Sequence, residues 1–230
     1  MKEQAKQAEQ IKEDIVDQLL WDSRVDASKV SVEVEDGIVT LTGRVPTYSD
    51  REAIHTDVWS IPGVVSVESH IGVDRPTTAL SDNELESRIK SVLEWNPVID
   101  ATAIEVAVEL GWVTLKGSVE TLWKKHRTEE LAMGLAGVLG VTNDLTVVPP
   151  KGVSDEEIGE EILAALNRRF HENMHSVHVM VENGTVTLSG TVPHGHAHRS
   201  AYESALFTKG VVNIDDNLEI SRLPHQPEPS

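Results

Sequence analysis

Apolar residues follow a pattern that recurs three times along the chain. Ile11, Ile15 and Leu19 are spaced by four, which places them on one face of a helix. Leu85, Ile89 and Leu93 keep the same spacing, and so do Ile158, Ile162 and Leu166. Each triplet is followed by strict alternation: Val30, Val32, Val34, then Ile104, Val106, Val108, then Val177, Val179, Val181. Period two predicts a strand with one buried face. A turn follows at Glu35-Asp36-Gly37, Glu109-Leu110-Gly111 and Glu182-Asn183-Gly184, where glycine accepts a positive φ. The second strand runs to Val45, Val119 and Val192. A second helix is expected over roughly 49–61, 122–135 and 196–208, with Gly63, Gly137 and Gly210 ending it at the left-handed C′ position. A last strand carries Val65, Val67 and Ile71 in the first copy.

The copies are held in register by their glycines. Gly37-Ile38-Val39-Thr40-Leu41-Thr42-Gly43 returns as the segments Gly111 to Gly117 and Gly184 to Gly190, at separations of 74 and 73 residues. Those glycines are assigned to turn and bulge geometry, because no G-x-G-x-x-G cluster precedes a helix. Capping boxes are expected at Ser81-x-x-Glu84 and Ser154-x-x-Glu157 for the first helix, and at Ser49-x-x-Glu52 for the second helix of copy one. The chain therefore reads as three tandem α+β domains over 5–75, 80–148 and 153–222. Each is helix–strand–strand–helix–strand, a three-stranded sheet packed on two helices. Pairing of the third strand with the first or with the second satisfies the pattern equally. The tail 223–230 holds three prolines and is expected to be disordered.

These anchors make the chain resemble a tandem array of BON (bacterial OsmY and nodulation) domains. The likeness rests on an amphipathic helix, then x-V-x-V-x-x-G-x-V-x-L-x-G-x-V, then a helix leading to G-V-x-x-V, three times over roughly 8–220. It implies a role in osmotic stress or envelope maintenance, with phospholipid binding; one cytoplasmic relative pairs the domain with a LysM module and binds potassium. No catalytic residues are known for the family.

Charge narrows the partners. Thirty-eight Asp and Glu against 20 Lys and Arg give −18, spread as −7 over 1–76, −5 over 77–150 and −6 over 151–230. A nucleic-acid partner is thereby disfavoured, since phosphate backbones require a concentrated cationic surface. Cysteine is absent, which excludes disulfides, thiol catalysis and Cys-ligated metals. No apolar run approaches the roughly 20 residues of a membrane span. The polar N-terminus has no signal-peptide core, so the cytoplasm is expected, or the periplasm had such a peptide been removed. No nucleophile–base pair, phosphate loop or closed metal set stands out, so no enzyme activity and no cofactor are expected.

Three groups remain as candidate chemistry. Trp123, Lys124, Lys125 and Arg127 form the densest cationic patch, at a helix start suited to a lipid phosphate or another anion. A solvated helix face is the plainer reading. His194, His196 and His198, with His171 and His175, could ligate a transition metal through imidazole. Alternate histidines are a weak signal, and such binding is expected to be adventitious. Trp21 and Trp95 share one repeat position at the end of the first helix, where Arg168 stands in copy three. Packing onto the sheet or a neighbouring repeat is expected of them, ahead of a place in a headgroup layer. The reading that results is a non-enzymatic, stress-related binding module whose partner is an anionic phospholipid surface; a soluble cation-responsive or protein-interaction scaffold is the alternative.

Overall fold

The computed structural model describes residues 2–23, 25–74, 80–150, 152–169, 177–193 and 195–220, without the side chains of 2–6, 169 and 196. The tail 223–230 lies outside the described residues. Repeat one comprises α1 (Lys2–Trp21), β1 (Val30–Glu35), β2 (Ile38–Val45), α2 (Tyr48–Ser60) and β3 (Ser66–Val73). Repeat two comprises α3 (Asp82–Trp95), β4 (Ile104–Glu109), β5 (Trp112–Val119), α4 (Leu122–Met133) and β6 (Gly140–Val147). Repeat three comprises α5 (Asp155–Arg169), β7 (Val177–Glu182), β8 (Thr185–Val192), α6 (Gly195–Leu206) and β9 (Asn213–Ile220). The expected order of elements is present in all three.

In every repeat the second strand is central. β2 pairs antiparallel with β1 and parallel with β3, and β5 and β8 do the same with their neighbours. Both helices lie on one sheet face, the first over the first strand and the second over the last. Alternation along β2 sends Val39, Leu41 and Val45 to that face, where all three are fully buried. The helical triplets close over them: Ile11, Ile15 and Leu19 in repeat one, Leu85, Ile89 and Leu93 in repeat two. The opposite sheet face carries residues such as Thr42, Arg44, Trp112 and Lys116 and is exposed. By contacts the chain divides into two compact units between Val148 and Pro149. Within the first unit, repeats one and two have separate cores and touch through α2 and α4.

The helix-starting signals resolve unequally. Ser81 and Ser154 form the expected boxes: the Glu84 and Glu157 amides donate to the serine hydroxyls at 3.4 and 3.2 Å, and the two carboxylates accept from the serine amides at 2.9 and 2.8 Å. The Ser49 box is not formed. Thr47 is the N-cap of α2, accepting from the Asp50 amide at 3.1 Å while the Asp50 carboxylate accepts from the Thr47 amide at 2.9 Å. Thr121 caps α4 from the same repeat position, so in both repeats the helix begins after the threonine whose hydroxyl accepts an amide three residues on. The second helix also stops sooner than expected. α2 ends at Ser60 with Ile61 extended as its C-cap, and Gly63, at φ 94°, lies in the turn into β3. Gly137 and Gly210 are placed likewise.

The hairpin turns take positive φ at two residues, not at glycine alone: Asp36 and Gly37 at 48° and 80°, Leu110 and Gly111 at 52° and 81°, Asn183 and Gly184 at 51° and 74°. This is the type I′ geometry that fits the twist of paired strands. Aspartate and asparagine tolerate it; leucine does so at a cost, because its Cβ approaches the following carbonyl. Leu110→Asn is expected to stabilise repeat two by about 1 kcal/mol. Denaturant unfolding followed by β4–β6 amide exchange measures it, and unchanged protection would mean the turn relaxes around leucine.

Candidate functional site

The cationic patch sits on the first two turns of α4, and two of its three cations pair with carboxylates three or four residues away. The Lys124 ammonium pairs with the Glu120 carboxylate, and Arg127 Nη1 lies 2.9 Å from Glu130 Oε2. The Lys124 hydrogen bond is what chiefly lowers the Glu120 pKa. Asp100 is held low as well, first by hydrogen bonds from Thr102 and then by the nearby Lys124 charge. Among the described residues no carboxylate is in ion-pair reach of Lys125, whose carbonyl accepts from Asn143 Nδ2 at 3.0 Å. Burial pushes the His126 imidazole below its ordinary value, with Glu129 and Glu130 opposing. Trp123 is half-buried.

The end of the repeat that carries this helix start also carries Trp95. α3 ends there, β4 begins there, and α4 leaves β5 there. Trp95 is 87% exposed and lines an open cleft with Ser91, Val92, Asn96 and Pro97; Trp21 in repeat one is equally exposed. Neither tryptophan packs on its sheet, which overturns the packing expectation. Each lies two residues past the last core leucine, about 200° around the helix from it, and so faces solvent.

Most of the histidine group lies outside the described residues. His171, His175 and His194 lie outside the described residues, as does the His196 side chain. His198 Nε2 lies 3.2 Å from Asp216 Oδ2 on β9, an ordinary contact of α6 with its sheet. Among the described residues no group of three or more His, Cys, Asp or Glu could hold a metal.

Two aspartates outside the candidate groups, Asp82 and Asp155, fasten the hairpins. The amides of Leu110 and Gly111 donate to Asp82 Oδ2 and Oδ1 at 2.8 and 3.0 Å. Those of Asn183 and Gly184 donate to Asp155 Oδ2 and Oδ1 at 2.7 and 2.9 Å. The signal was the shared Ser-Asp-x-Glu at the start of both first helices; Ala8 holds the aspartate position in repeat one.

The sequence signature of the BON domain matches residues 7–75, 81–149 and 154–222. The chain belongs to the BON-domain family. It is 27% identical over 126 residues to the Osmotically-inducible protein Y of Escherichia coli (strain K12), an alignment covering 53% of this chain and 63% of that protein. Two solved structures of CdsD, a structural protein of the type III secretion system of Chlamydia trachomatis, match at 17% identity. They cover 91% and 92% of this chain, and 91% and 96% of theirs, at a TM-score of 0.26, too low to bear on shape or function. The cationic patch and Trp95 both fall in the second BON domain. No helix among the described residues is long and apolar enough to cross a membrane.

Proposed function

We propose that this BON-domain protein acts by binding rather than catalysis, in the response to osmotic load, and that its second domain docks on phospholipid. The likeness to an osmotically inducible protein supports the first part. The observation that carries the second is the coincidence, at one end of repeat two, of a nearly free indole at Trp95 with the Trp123, Lys124, Lys125 and Arg127 helix start. An indole suits the boundary between headgroups and acyl chains, and cations beside it attract lipid phosphate. Basic residues near an anionic surface contribute about 1 kcal/mol each, and Glu120 and Glu130 offset part of that here, so binding is weak. Those same ion pairs favour the second reading, a surface for another protein.

Flotation of the full chain with vesicles of mixed zwitterionic and anionic lipid separates the two. A salt-sensitive bound fraction is expected at low ionic strength, since the Debye length shrinks from about 30 Å at 0.01 M to about 8 Å at 0.15 M. Reversal of Lys124, Lys125 and Arg127 to Glu should abolish it, and Trp95→Ala should reduce it at every salt concentration. Absence of flotation at low salt would transfer the function to a protein partner.

A further inference from the structure

The hairpin tip of repeat two differs from its counterparts at three positions together. Leu110 stands where the other repeats have Asp36 and Asn183, Trp112 where they have Ile38 and Thr185, and Gly140 where they have Ser66 and Asn213. Trp112 and Gly140 are direct partners across β5 and β6. A Cβ on Gly140 would lie 2.3 Å from Cζ3 and 2.6 Å from Cε3 of the indole, so the ring rests on bare strand backbone. A serine or asparagine there would lift it. The indole is still 56% exposed, and Leu110 beside it is 66% exposed in left-handed backbone. The other two tips form the same turn with Asp36 or Asn183 in place of the leucine and Ile38 or Thr185 in place of the tryptophan, so folding requires neither Leu110 nor an aromatic at 112. An exposed tryptophan on a rigid seat is the residue type that interaction hot spots favour, and left-handed strain at the leucine beside it is of the kind kept at functional sites.

Charge selects the partner. Glu109 is the direct neighbour of Trp112 across β4 and β5. Four residues further along the same sheet face, Glu105 and Asp144 flank Lys116. Between them lie Ala107, Thr114 and Thr142, a low platform. We infer that this face binds an extended, arginine-bearing segment of a partner protein. One guanidinium stacks on the free face of Trp112 and pairs with Glu109, and a second, four residues on, reaches Glu105 and Asp144. Tryptophan is the best ring for such stacking, and the fork of arginine matches a carboxylate. Side chains four apart on an extended chain are about 13 Å apart on one face, the same spacing as the two acidic rows. The face lies at the opposite end of the repeat from the lipid contact proposed above. Asp82, at the start of α3, is bonded to this tip, and Trp95 closes the same helix about 20 Å away. The two surfaces can be occupied at once.

The test uses the full chain labelled with 5-fluorotryptophan, whose five tryptophans give separate fluorine resonances. Trp112→Phe identifies the Trp112 signal. Titration with the peptide acetyl-Arg-Thr-Ala-Thr-Arg-amide is expected to move that signal with a millimolar or tighter midpoint, about −4 kcal/mol. Glu109→Gln should weaken the midpoint several-fold with the other signals unchanged, and the glutamate version of the peptide should be silent. The inference fails if Trp112 stays still, if both peptides move it, or if Trp21, Trp95 and Trp112 move together as in unspecific attraction to an acidic protein. It also fails if vesicles rather than peptide move Trp112. Vesicles moving Trp95 report on the lipid reading alone, so the two can fall separately.

Discussion

Alanine at Gly117 is expected to unfold repeat two and to leave repeat three folded. Gly117 lies inside β5, opposite Ile104, at φ 122°. A Cβ there would sit 2.0 Å from the carbonyl oxygen of Ala103 and 3.1 Å from its carbonyl carbon. Gly43 meets the Lys29 carbonyl oxygen at 2.1 Å in the same way. Both obstacles are backbone just ahead of the first strand, so no side chain can swing aside. Left-handed strain costs about 1–3 kcal/mol. Overpacking against a fixed neighbour adds about 1–3 kcal/mol. A core of this size supplies only about 3–5 kcal/mol, so the sum is of the order of the repeat's whole stability. Amide exchange of the intact chain reads the outcome. Protection should vanish across β4–β6 and persist across β7–β9, with repeat one disturbed only where α2 touches α4. Equal loss in all three repeats would show one cooperative unit; full retention would show that the β4 entry moves.

Much of this architecture was legible because burial follows period. The triplets at i, i+4, i+8 are buried, and in repeats one and two the alternating strand residues are buried or packed against the core. Strand order was not legible, since a central and an edge strand with one buried face alternate alike and differ only in how many backbone edges are paired. The cap of α2 was missed because Ser49-x-x-Glu52 and Thr47-x-x-Asp50 compete within three residues, and only the repeat, which returns Thr121, separates them. Residue type alone misplaces the tryptophans, whereas helical angle places them: Trp21 and Trp95 face away from the leucines that define the core side. The acids that pair with the cationic patch are legible too. Glu120 to Lys124 and Arg127 to Glu130 are helix-neighbour spacings visible in the sequence. The tip of repeat two was hidden for a different reason. Its signal lies in departures from the repeat at Leu110, Trp112 and Gly140, whereas the domains are visible through agreement between copies.

Removal of the Asp82 carboxylate is expected to cost repeat two about 2–3 kcal/mol. A hydrogen bond to a charged acceptor contributes about 1.5–3 kcal/mol, and this half-buried carboxylate accepts two, which places the pair near the lower end for each. Both donors belong to residues at positive φ, so the aspartate also steadies the strained Leu110. Asp82→Asn keeps one acceptor and should fall between wild type and Asp82→Ala. Asp155→Ala should act on repeat three alone, because Asn183 and Gly184 are its partners. The reciprocal change is Ala8→Asp, which offers repeat one the carboxylate its neighbours have. Among the described residues nothing accepts from the Asp36 and Gly37 amides. Aspartate within α1 sacrifices about 0.6 kcal/mol of helix propensity, against a larger gain from two charged hydrogen bonds. A net rise of about 1.5–2.5 kcal/mol in repeat one is therefore expected, read as slower exchange of the β1–β3 amides. If Ala8→Asp lowers that protection while Asp82→Ala behaves as stated, the start of α1 approaches its hairpin differently from α3, and the clamp belongs to repeats two and three only.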